Sequence, residues 1–438
     1  GRGPGNRAPT TSSEPPSPRH RTTSSNSAVP LPRSLAPFRH RAYARFWFGA
    51  FVSNIGTWME TVGVGILVTK QTGQAGWTGI VAAAGFLPSA FAGLIGGVLA
   101  DRLPRRGLLL STLLVQTAMA TTLTVLAVTG NAHPVVVTLI VFVAGTAGAI
   151  GFPTYQALLP DLVPAEEVPA AMALGSAQWN LGRVVGPALA GIVIGIGGYG
   201  WAFGINALSF FAVIAAVVPM RLPPPAHHGG QRIVSAIADG VRHVRHDDGL
   251  RAVVTYLSLN SLLAAPFIAL VPAVALKVFD DGRFGTSVLV TAQGAGAVLM
   301  ALLAGGLYHK VGQRGVVLTS FLALPLTLVA YAAAPTLGLA AAAIFLVGAG
   351  YLACLSGFNT IAQLRAPTAL RGRVLSVNMV ALGLLYPIGA ITQGWIADAI
   401  GLRWTIGGAA VILGLVTLAV RTLRPGFDRD LEGLQELL

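Results

Sequence analysis

Long apolar stretches constrain the fold of this chain more than any other feature. Twelve stretches of about 20 residues can be distinguished, and that length of helix crosses the hydrocarbon core of a bilayer. They lie near 46–68, 77–100, 108–129, 134–155, 171–197, 201–220, 251–276, 286–307, 315–334, 336–358, 374–397 and 404–423. The two-residue alternation of a membrane β-barrel is absent. The pattern predicts an all-α membrane protein with twelve transmembrane helices.

The composition and charge of the chain support this class and exclude others. Hydrophobic residues make up 54% of the chain and charged residues 10%, whereas soluble domains contain about 25% charged residues. The net charge of +13 is spread over the polar segments and the N-terminal tail. We therefore expect no nucleic-acid partner, and we expect the cations to lie near anionic membrane lipids.

The distribution of lysine and arginine predicts the orientation in the membrane. With the N-terminus inside, sixteen of these residues fall in inner segments, and the outer loops hold only four, namely Lys70, Lys277, Arg283 and Arg403. Cytoplasmic loops of membrane proteins carry such an excess of positive charge. The sequence thus predicts a multi-pass protein of the plasma membrane with both termini in the cytoplasm.

The polar segments predict the domain boundaries. Residues 1–45 are rich in Ser, Pro, Thr and Arg, and we expect a disordered cytoplasmic tail. Residues 221–250 form the one long polar gap, which divides the apolar segments six and six, with a surface helix expected near 232–246. The remaining predicted units are two six-helix bundles, 46–220 and 251–423, and a cytoplasmic tail, 424–438.

A charged link follows the second apolar segment. It contains Gly97 as a packing glycine, Asp101, Arg102, a helix-ending proline (Pro104), Arg105 and Arg106. A weaker copy follows the eighth segment, with Lys310 at the position of the acid. Charged links repeated within a membrane bundle are typical of transporters. The first copy resembles the link between the second and third helices of the major facilitator superfamily, although Pro104 replaces a glycine of that pattern.

This resemblance implies two pseudo-symmetric six-helix bundles that rock about a central site and open it to each side in turn. The first, fourth, seventh and tenth helices would line the cavity. Its walls would then include Asn54, Trp58, Glu60, Thr146, Tyr155, Asn260 and Ser356. Such walls are mostly apolar with few polar groups, so we expect a bulky, amphipathic small-molecule substrate.

The fifth apolar segment carries a run of small residues around Gly182, Gly186 and Pro187. Small residues at this spacing allow close helix packing, which is one interpretation. The run also resembles the Gly-Pro motif of proton-driven exporters in the superfamily. The segments 53–58 and 371–376 resemble the macrolide-efflux and siderophore-exporter branch. The resemblance implies proton-coupled export of drugs or siderophores.

Two ionisable residues lie deep in the apolar segments. At about 1.5 Å of rise per residue, Glu60 lies roughly 20 Å from the inner end of its helix and Arg183 roughly 18 Å. Their similar depth predicts an ion pair, since charges inside a membrane are costly. One interpretation is that the pair only holds the first and fifth helices together. The other is that Glu60 is the carboxylate for which proton and substrate compete. Both interpretations remain open.

The charged links predict contacts that close the inner side. The superfamily pattern places Asp101 against the start of the eleventh helix, where Arg371 and Arg373 stand. By pseudo-symmetry, Lys310 should face Glu166 and Glu167 at the start of the fifth helix. Relative to the first contact, the second has a cation in place of the acid and acids in place of the cations. Both contacts would therefore join opposite charges.

Several chemistries have no motif in this sequence. There is no Gly-Lys-Ser/Thr loop for ATP, no His-Glu-x-x-His or Cys-x-x-Cys metal spacing, and no Gly-x-Ser-x-Gly. We therefore expect no cofactor and no enzymatic activity, with protons as the coupling ion. A lysolipid flippase of the same fold and a non-transporting membrane sensor remain the alternatives.

Overall fold

The computed structural model describes Gly1 and residues 32–220, 233–281, 284–367 and 370–423. Within these ranges every regular element is a helix and no strand occurs. Most of the predicted N-terminal tail, part of the predicted linker and the whole predicted tail 424–438 lie outside the described residues.

Thirteen α-helices build the described part of the chain, and nine helical stretches in it are long and apolar enough to cross a membrane. The helices are α1 (Arg41–Thr72), α2 (Ala75–Phe86), α3 (Ala92–Arg102), α4 (Arg105–Thr129), α5 (Pro134–Asp161), α6 (Val168–Val217), α7 (Ile233–His246), α8 (Asp248–Leu259), α9 (Phe267–Phe279), α10 (Phe284–Ala333), α11 (Leu337–Arg365), α12 (Arg371–Ile400) and α13 (Leu402–Leu423).

Two predicted segments are interrupted where the sequence supplies proline. The second apolar segment is divided into α2 and α3 by a 3₁₀ turn over Leu87–Ala90, which contains Pro88. The seventh is divided into α8 and α9 by a π-helical turn, Asn260–Ala264, followed by Pro266. Proline removes a backbone donor and clashes with the preceding turn, so the regular hydrogen-bond ladder stops there.

The long helices α6 and α10 each contain one glycine with non-helical backbone. Gly198 has φ 75° and ψ −175°, and Gly312 has φ 74° and ψ 152°. These are positive φ values that glycine adopts without steric cost. The chain folds back at Gly198, so both halves of α6 run along α1. Gly198 and Gly312 lie where the sequence separates two apolar segments.

The bundle has two ends, which we name by a charged residue at each. The Asp398 end holds the α1–α2, α4–α5 and α9–α10 junctions, and the Arg105 end holds the α3–α4 and α5–α6 junctions. A hydrogen bond from Arg105 to Asp161 joins α4 and α5 at the second of these ends.

Glycines bring α1 and α6 into close contact. A Cβ added to Gly182 would lie 2.5 Å from Asn54 Nδ2, and one added to Gly186 would lie 2.5 Å from Trp58 Cβ. Close packing at these two positions is therefore confirmed. At Gly97 no close packing occurs in this conformation, because an added Cβ there would meet nothing within 4 Å. The close approach occurs at Gly96, 2.5 Å from the Ile150 carbonyl oxygen.

The two halves of the molecule meet along a seam between α2 and α12. A Cβ on Gly79 would collide with the Ala390 carbonyl, and one on Gly394 would lie 2.8 Å from the Ala75 carbonyl oxygen. The seam continues to Gly383, where an added Cβ would lie 2.7 Å from an Ala90 atom. The halves are thus in backbone-to-backbone contact from the Asp398 end to the α2–α3 turn.

The predicted surface helix of the linker is confirmed by α7. Its Asp239 accepts a hydrogen bond from Arg373 at the start of α12, at 2.8 Å. Gly240 lies against the Arg373 carbonyl, 2.6 Å from where its Cβ would stand. The linker helix therefore packs across the first turn of α12.

Candidate functional site

Glu60 lies on α1 and faces the second half of α6. Its Oε2 accepts a hydrogen bond of 2.7 Å from Nδ2 of Asn206, whose side chain is 1% exposed. Gly56, one turn earlier, permits this approach, since an added Cβ would lie 2.6 Å from Ser209 Oγ. The carboxylate is half-buried and is held by a neutral donor.

Arg183 lies on the first half of α6 and faces Trp58. Its guanidinium carbon is 5.6 Å from the centre of the Trp58 ring, within the range of a cation–π contact. Tyr351 of α11 and Tyr386 of α12 lie near its guanidinium group. These two tyrosines belong to the other half of the molecule, so Arg183 lies between the halves.

The predicted ion pair between Glu60 and Arg183 is not formed among the described residues. The reason is direction around the helix rather than depth. Trp58 and Glu60 are two residues apart and so point about 200° apart around α1. Trp58 faces Arg183 on the first half of α6, whereas Glu60 faces Asn206 on the second half.

Five aromatic side chains from α1, α5 and α6 form a continuous series, which we call the aromatic row: Phe46, Tyr155, Phe152, Trp179 and Trp58. Successive ring centres are 5.2, 6.5, 6.1 and 6.4 Å apart. Trp179 is 48% exposed and Phe152 43% exposed. The predicted cavity residues Trp58 and Tyr155 therefore belong to one apolar surface that ends at Arg183.

The other predicted cavity residues are not in contact with the row in the same way. Asn54 donates to the backbone carbonyl of Trp179 at 3.1 Å and ties α1 to α6. Thr146 donates to Phe142 within its own helix. Asn260 is fully buried, and neither atom of its amide has a hydrogen-bond partner among the described residues. Ser356 is exposed on α11.

The charged residues at the Arg105 end are arranged differently from the prediction. Arg105 pairs with Asp161 at 2.6 Å, and Glu167 bonds to His40 at 3.0 Å. Lys310 is exposed and makes no ion pair with described residues, so its expected contact with the glutamates is not formed in this conformation. Arg102, Arg106, Glu166 and Arg371 are also exposed. The side chain of Asp101 lies outside the described residues.

Asp398 connects the two halves at the opposite end. Its carboxylate accepts hydrogen bonds of 2.8 Å from the backbone N–H groups of Ala75 and Gly76, at the first turn of α2. Lys277 of α9 donates to the same carboxylate at 3.1 Å. An acid at a helix N-terminus is stabilised by the free N–H groups and by the helix dipole. Asp398 thus closes a junction of α2, α9 and α12.

The sequence prediction missed Phe152, Trp179, Tyr351 and Tyr386 as site residues. Trp179 could have been found, because it precedes Arg183 by four residues and so lies on the same helix face. The tyrosines carry no such local signal, since they come from the other half. No cluster of three His, Cys, Asp or Glu side chains that could hold a metal ion occurs in the described part of the chain.

The fold and this central site define a multi-pass transporter of the major facilitator superfamily, a class whose members are not enzymes. The family described as transmembrane secretion effector matches residues 32–436. The chain belongs to this family.

Relatives of known function cover most of the chain. The multidrug efflux pump Tap of Mycolicibacterium fortuitum is 28% identical over 86% of this chain and 95% of its own length. Macrolide efflux protein A of Streptococcus pyogenes is 24% identical, over 84% and 92%. The staphyloferrin A transporter of Staphylococcus aureus is 23% identical, over 88% and 96%. The resemblance to the macrolide-efflux and siderophore-exporter branch is confirmed.

A solved structure shares the fold. It is a bacterial homologue of the human lysosomal transporter Spinster, in an inward-facing and unoccupied conformation. It superposes with a TM-score of 0.72 and 14% identity, covering 91% of this chain and 98% of its own. The predicted all-α architecture is therefore confirmed.

Proposed function

We propose that this protein is a proton-coupled exporter of small amphipathic molecules, such as drugs or siderophores, and that it works by alternating access. The observation that carries the proposal is the aromatic row, which presents the exposed rings of Trp179 and Phe152 and ends at a charged residue between the halves. Apolar walls with few polar groups suit amphipathic ligands. The names of the three relatives, a multidrug efflux pump, a macrolide efflux protein and a staphyloferrin A transporter, favour drugs and a siderophore as substrates.

The membrane arrangement that we propose has twelve crossings. The count follows when the linker helix α7 is left out, when α6 and α10 are each divided at Gly198 and Gly312, and when α2 with α3 and α8 with α9 are each counted once. The excess of lysine and arginine at the Arg105 end supports a cytoplasmic location for that end. The Asp398 end then faces outward.

In this arrangement the structure is closed to the outside. The α2–α12 seam and the Asp398 junction hold the halves together at the outer end. At the inner end, Arg105 pairs within its own half, and Lys310 is exposed. The contact of Lys310 with Glu166 and Glu167 would form in the opposite state, when the inner end closes, and so would the contact of Asp101 with Arg371 and Arg373.

Glu60 is the residue that we propose for proton coupling. It is the one acid deep in a described apolar segment, and its hydrogen-bond partner, Asn206, is uncharged. A carboxyl group at this depth changes its ionisation with its access to water, because burial disfavours charge. Alternation of that access between the two sides would link proton binding to the conformational cycle.

A transport assay with purified protein in liposomes tests this function. The probes are norfloxacin and ethidium, with a pH gradient imposed in either direction, and a fluorescent lysolipid serves as the alternative substrate. We expect a drug probe to move in the direction opposite to proton flow and to accumulate. We expect this accumulation to be lost when the pH gradient is collapsed. Movement of the lysolipid alone would contradict the proposal and favour the flippase. Drug movement that ignores the gradient would contradict proton coupling.

A further inference from the structure

Arg183 lies deep in a membrane-spanning helix and has no anionic partner among the described residues. Charged side chains in membrane-spanning helices pair with an opposite charge or line a water-filled cavity. Arg183 makes no hydrogen bond or ion pair with any described residue, and its Nε is buried without an acceptor. Glu60, the one deep acid, bonds to Asn206 instead. The charge of Arg183 is therefore unpaired within the described chain.

The residues around Arg183 leave its donors free. Trp58 covers one face of the guanidinium at 5.6 Å from ring centre to Cζ, which stabilises the charge but accepts none of its N–H groups. Tyr351 and Tyr386 lie near it in the opposite half, and each hydroxyl can donate a hydrogen bond as well. A planar guanidinium with free N–H groups matches the two oxygens of a carboxylate.

The aromatic row supplies a surface for the rest of such a molecule. Trp179 lies one turn before Arg183 on the same face of α6, on the side of the Arg105 end. It is 48% exposed, and Phe152 beside it is 43% exposed. A ligand that reaches Arg183 from the Arg105 end therefore passes along exposed aromatic rings. The site combines an apolar aromatic wall with one cation at its end.

We propose that Arg183 binds the anionic group of the transported molecule, and that the substrates are amphipathic carboxylates whose apolar or aromatic body lies along the aromatic row. This inference rests on the proposed export function and specifies its substrate class. In it, the substrate itself provides the counter-charge of Arg183. The carboxylate would bind between Arg183 and the two tyrosines and so contact both halves.

The test uses the full-length purified protein and two probes that differ in one charge. Dansyl-phenylalanine carries a carboxylate, and dansyl-phenylalaninamide has the same rings without it. Energy transfer from tryptophan to the dansyl group measures binding. We expect the wild type to bind the acid more tightly, on the order of tenfold to hundredfold, as for a hydrogen-bonded charge. Arg183→Gln should lower the affinity for the acid to that for the amide and leave the amide unchanged. The matched control is Arg45→Gln, at an exposed arginine of α1, and it should retain the preference.

Equal binding of both probes by the wild type would overturn the inference without any variant. Unchanged acid affinity in Arg183→Gln would do the same. Dependence of amide binding on chloride, with no preference for the acid, would assign an inorganic anion to Arg183 and also overturn it. If Arg183→Gln does not fold, Arg183→Lys keeps the charge, loses the planar fork, and should bind the acid with intermediate affinity; full retention of the preference would contradict the carboxylate geometry. In liposomes, equal transport of both probes would overturn only this inference, whereas acid binding without any transport would overturn only the export function.

Discussion

Glu60 and Arg183 show how two opposite charges can lie at similar depth and remain separate. Each is served by a different neighbour, Asn206 for the carboxylate and Trp58 for the guanidinium. A count of residues along a helix estimates depth, but the direction of a side chain also depends on its angle around the helix. The sequence was therefore sufficient to find both residues and insufficient to find their partners.

Double-mutant cycles distinguish a Glu60–Asn206 hydrogen bond from a Glu60–Arg183 ion pair. We expect the cycle of Glu60→Ala with Asn206→Ala to give a coupling of about 1–3 kcal/mol in the free energy of unfolding. Either substitution alone removes the hydrogen bond to the charged group, so the second substitution cannot remove it again. The cycle of Glu60→Ala with Arg183→Ala should give a coupling near zero. The control pairs Glu60→Ala with Asn180→Ala, since Asn180 bonds only within its own helix. The measurement is reversible unfolding in detergent. A large coupling between Glu60 and Arg183 would show that these two residues form the predicted ion pair.

At the scale of the elements, glycines determine how closely the helices approach. Gly182 and Gly186 admit α1 to the surface of α6, and Gly79 and Gly394 bring α2 against α12. The sequence predicted the first contact from the spacing of small residues. It did not predict the seam, because its glycines are far apart in the chain and only the tertiary fold brings them together. It also treated 77–100 as one segment, although Pro88 interrupts it.

An added methyl group should destabilise the α1–α6 contact. In Gly186→Ala the new Cβ would meet Trp58 Cβ at 2.5 Å and the Ile55 carbonyl oxygen at 2.8 Å. We expect a loss of about 1–3 kcal/mol, the usual cost of overpacking. The matched control is Gly195→Ala in the same helix, where nothing lies within 4 Å; alanine there should be neutral or stabilising by up to about 1 kcal/mol. Equal thermal unfolding temperatures for the two variants would contradict the close approach.

Removal of the Asp398 carboxylate should weaken closure at its end of the bundle. Asp398→Ala leaves two N–H groups of α2 and the Lys277 ammonium without this acceptor. Loss of such a cap costs about 0.5–2 kcal/mol. We expect the seam to open more often, with labelling of a cysteine at Ala390 faster by about twofold to thirtyfold.

The labelling measurement uses an impermeant maleimide in a background with Cys354→Ala, which removes the one native thiol. The control is Asp280→Asn, an exposed acid in a left-handed backbone conformation that asparagine also adopts. It should leave labelling unchanged. Equal labelling in Asp398→Ala and in the control would show that the junction does not hold the seam.

At the scale of the whole molecule, the sequence predicted the membrane-spanning segments but not the set of residues that form the site. Apolar length predicted the helices, and Gly198 and Gly312 lie where it separates neighbouring segments, because membrane insertion depends on local composition. The site depends on residues from both halves, such as Arg183 and Tyr351. Their juxtaposition depends on helix packing and on the conformational state, and a linear pattern carries neither.

We propose that Glu60 couples export to protons. The most direct measurement follows internal pH with pyranine in liposomes that contain the protein, after a drug probe is added on one side. We expect proton movement opposite to the drug in the wild type. We expect no drug-dependent proton movement in Glu60→Gln, although the variant remains folded and still binds the probe, because an amide cannot release a proton. The control Asp280→Asn should behave as the wild type. Drug-dependent proton movement of wild-type size in Glu60→Gln would contradict proton coupling through Glu60.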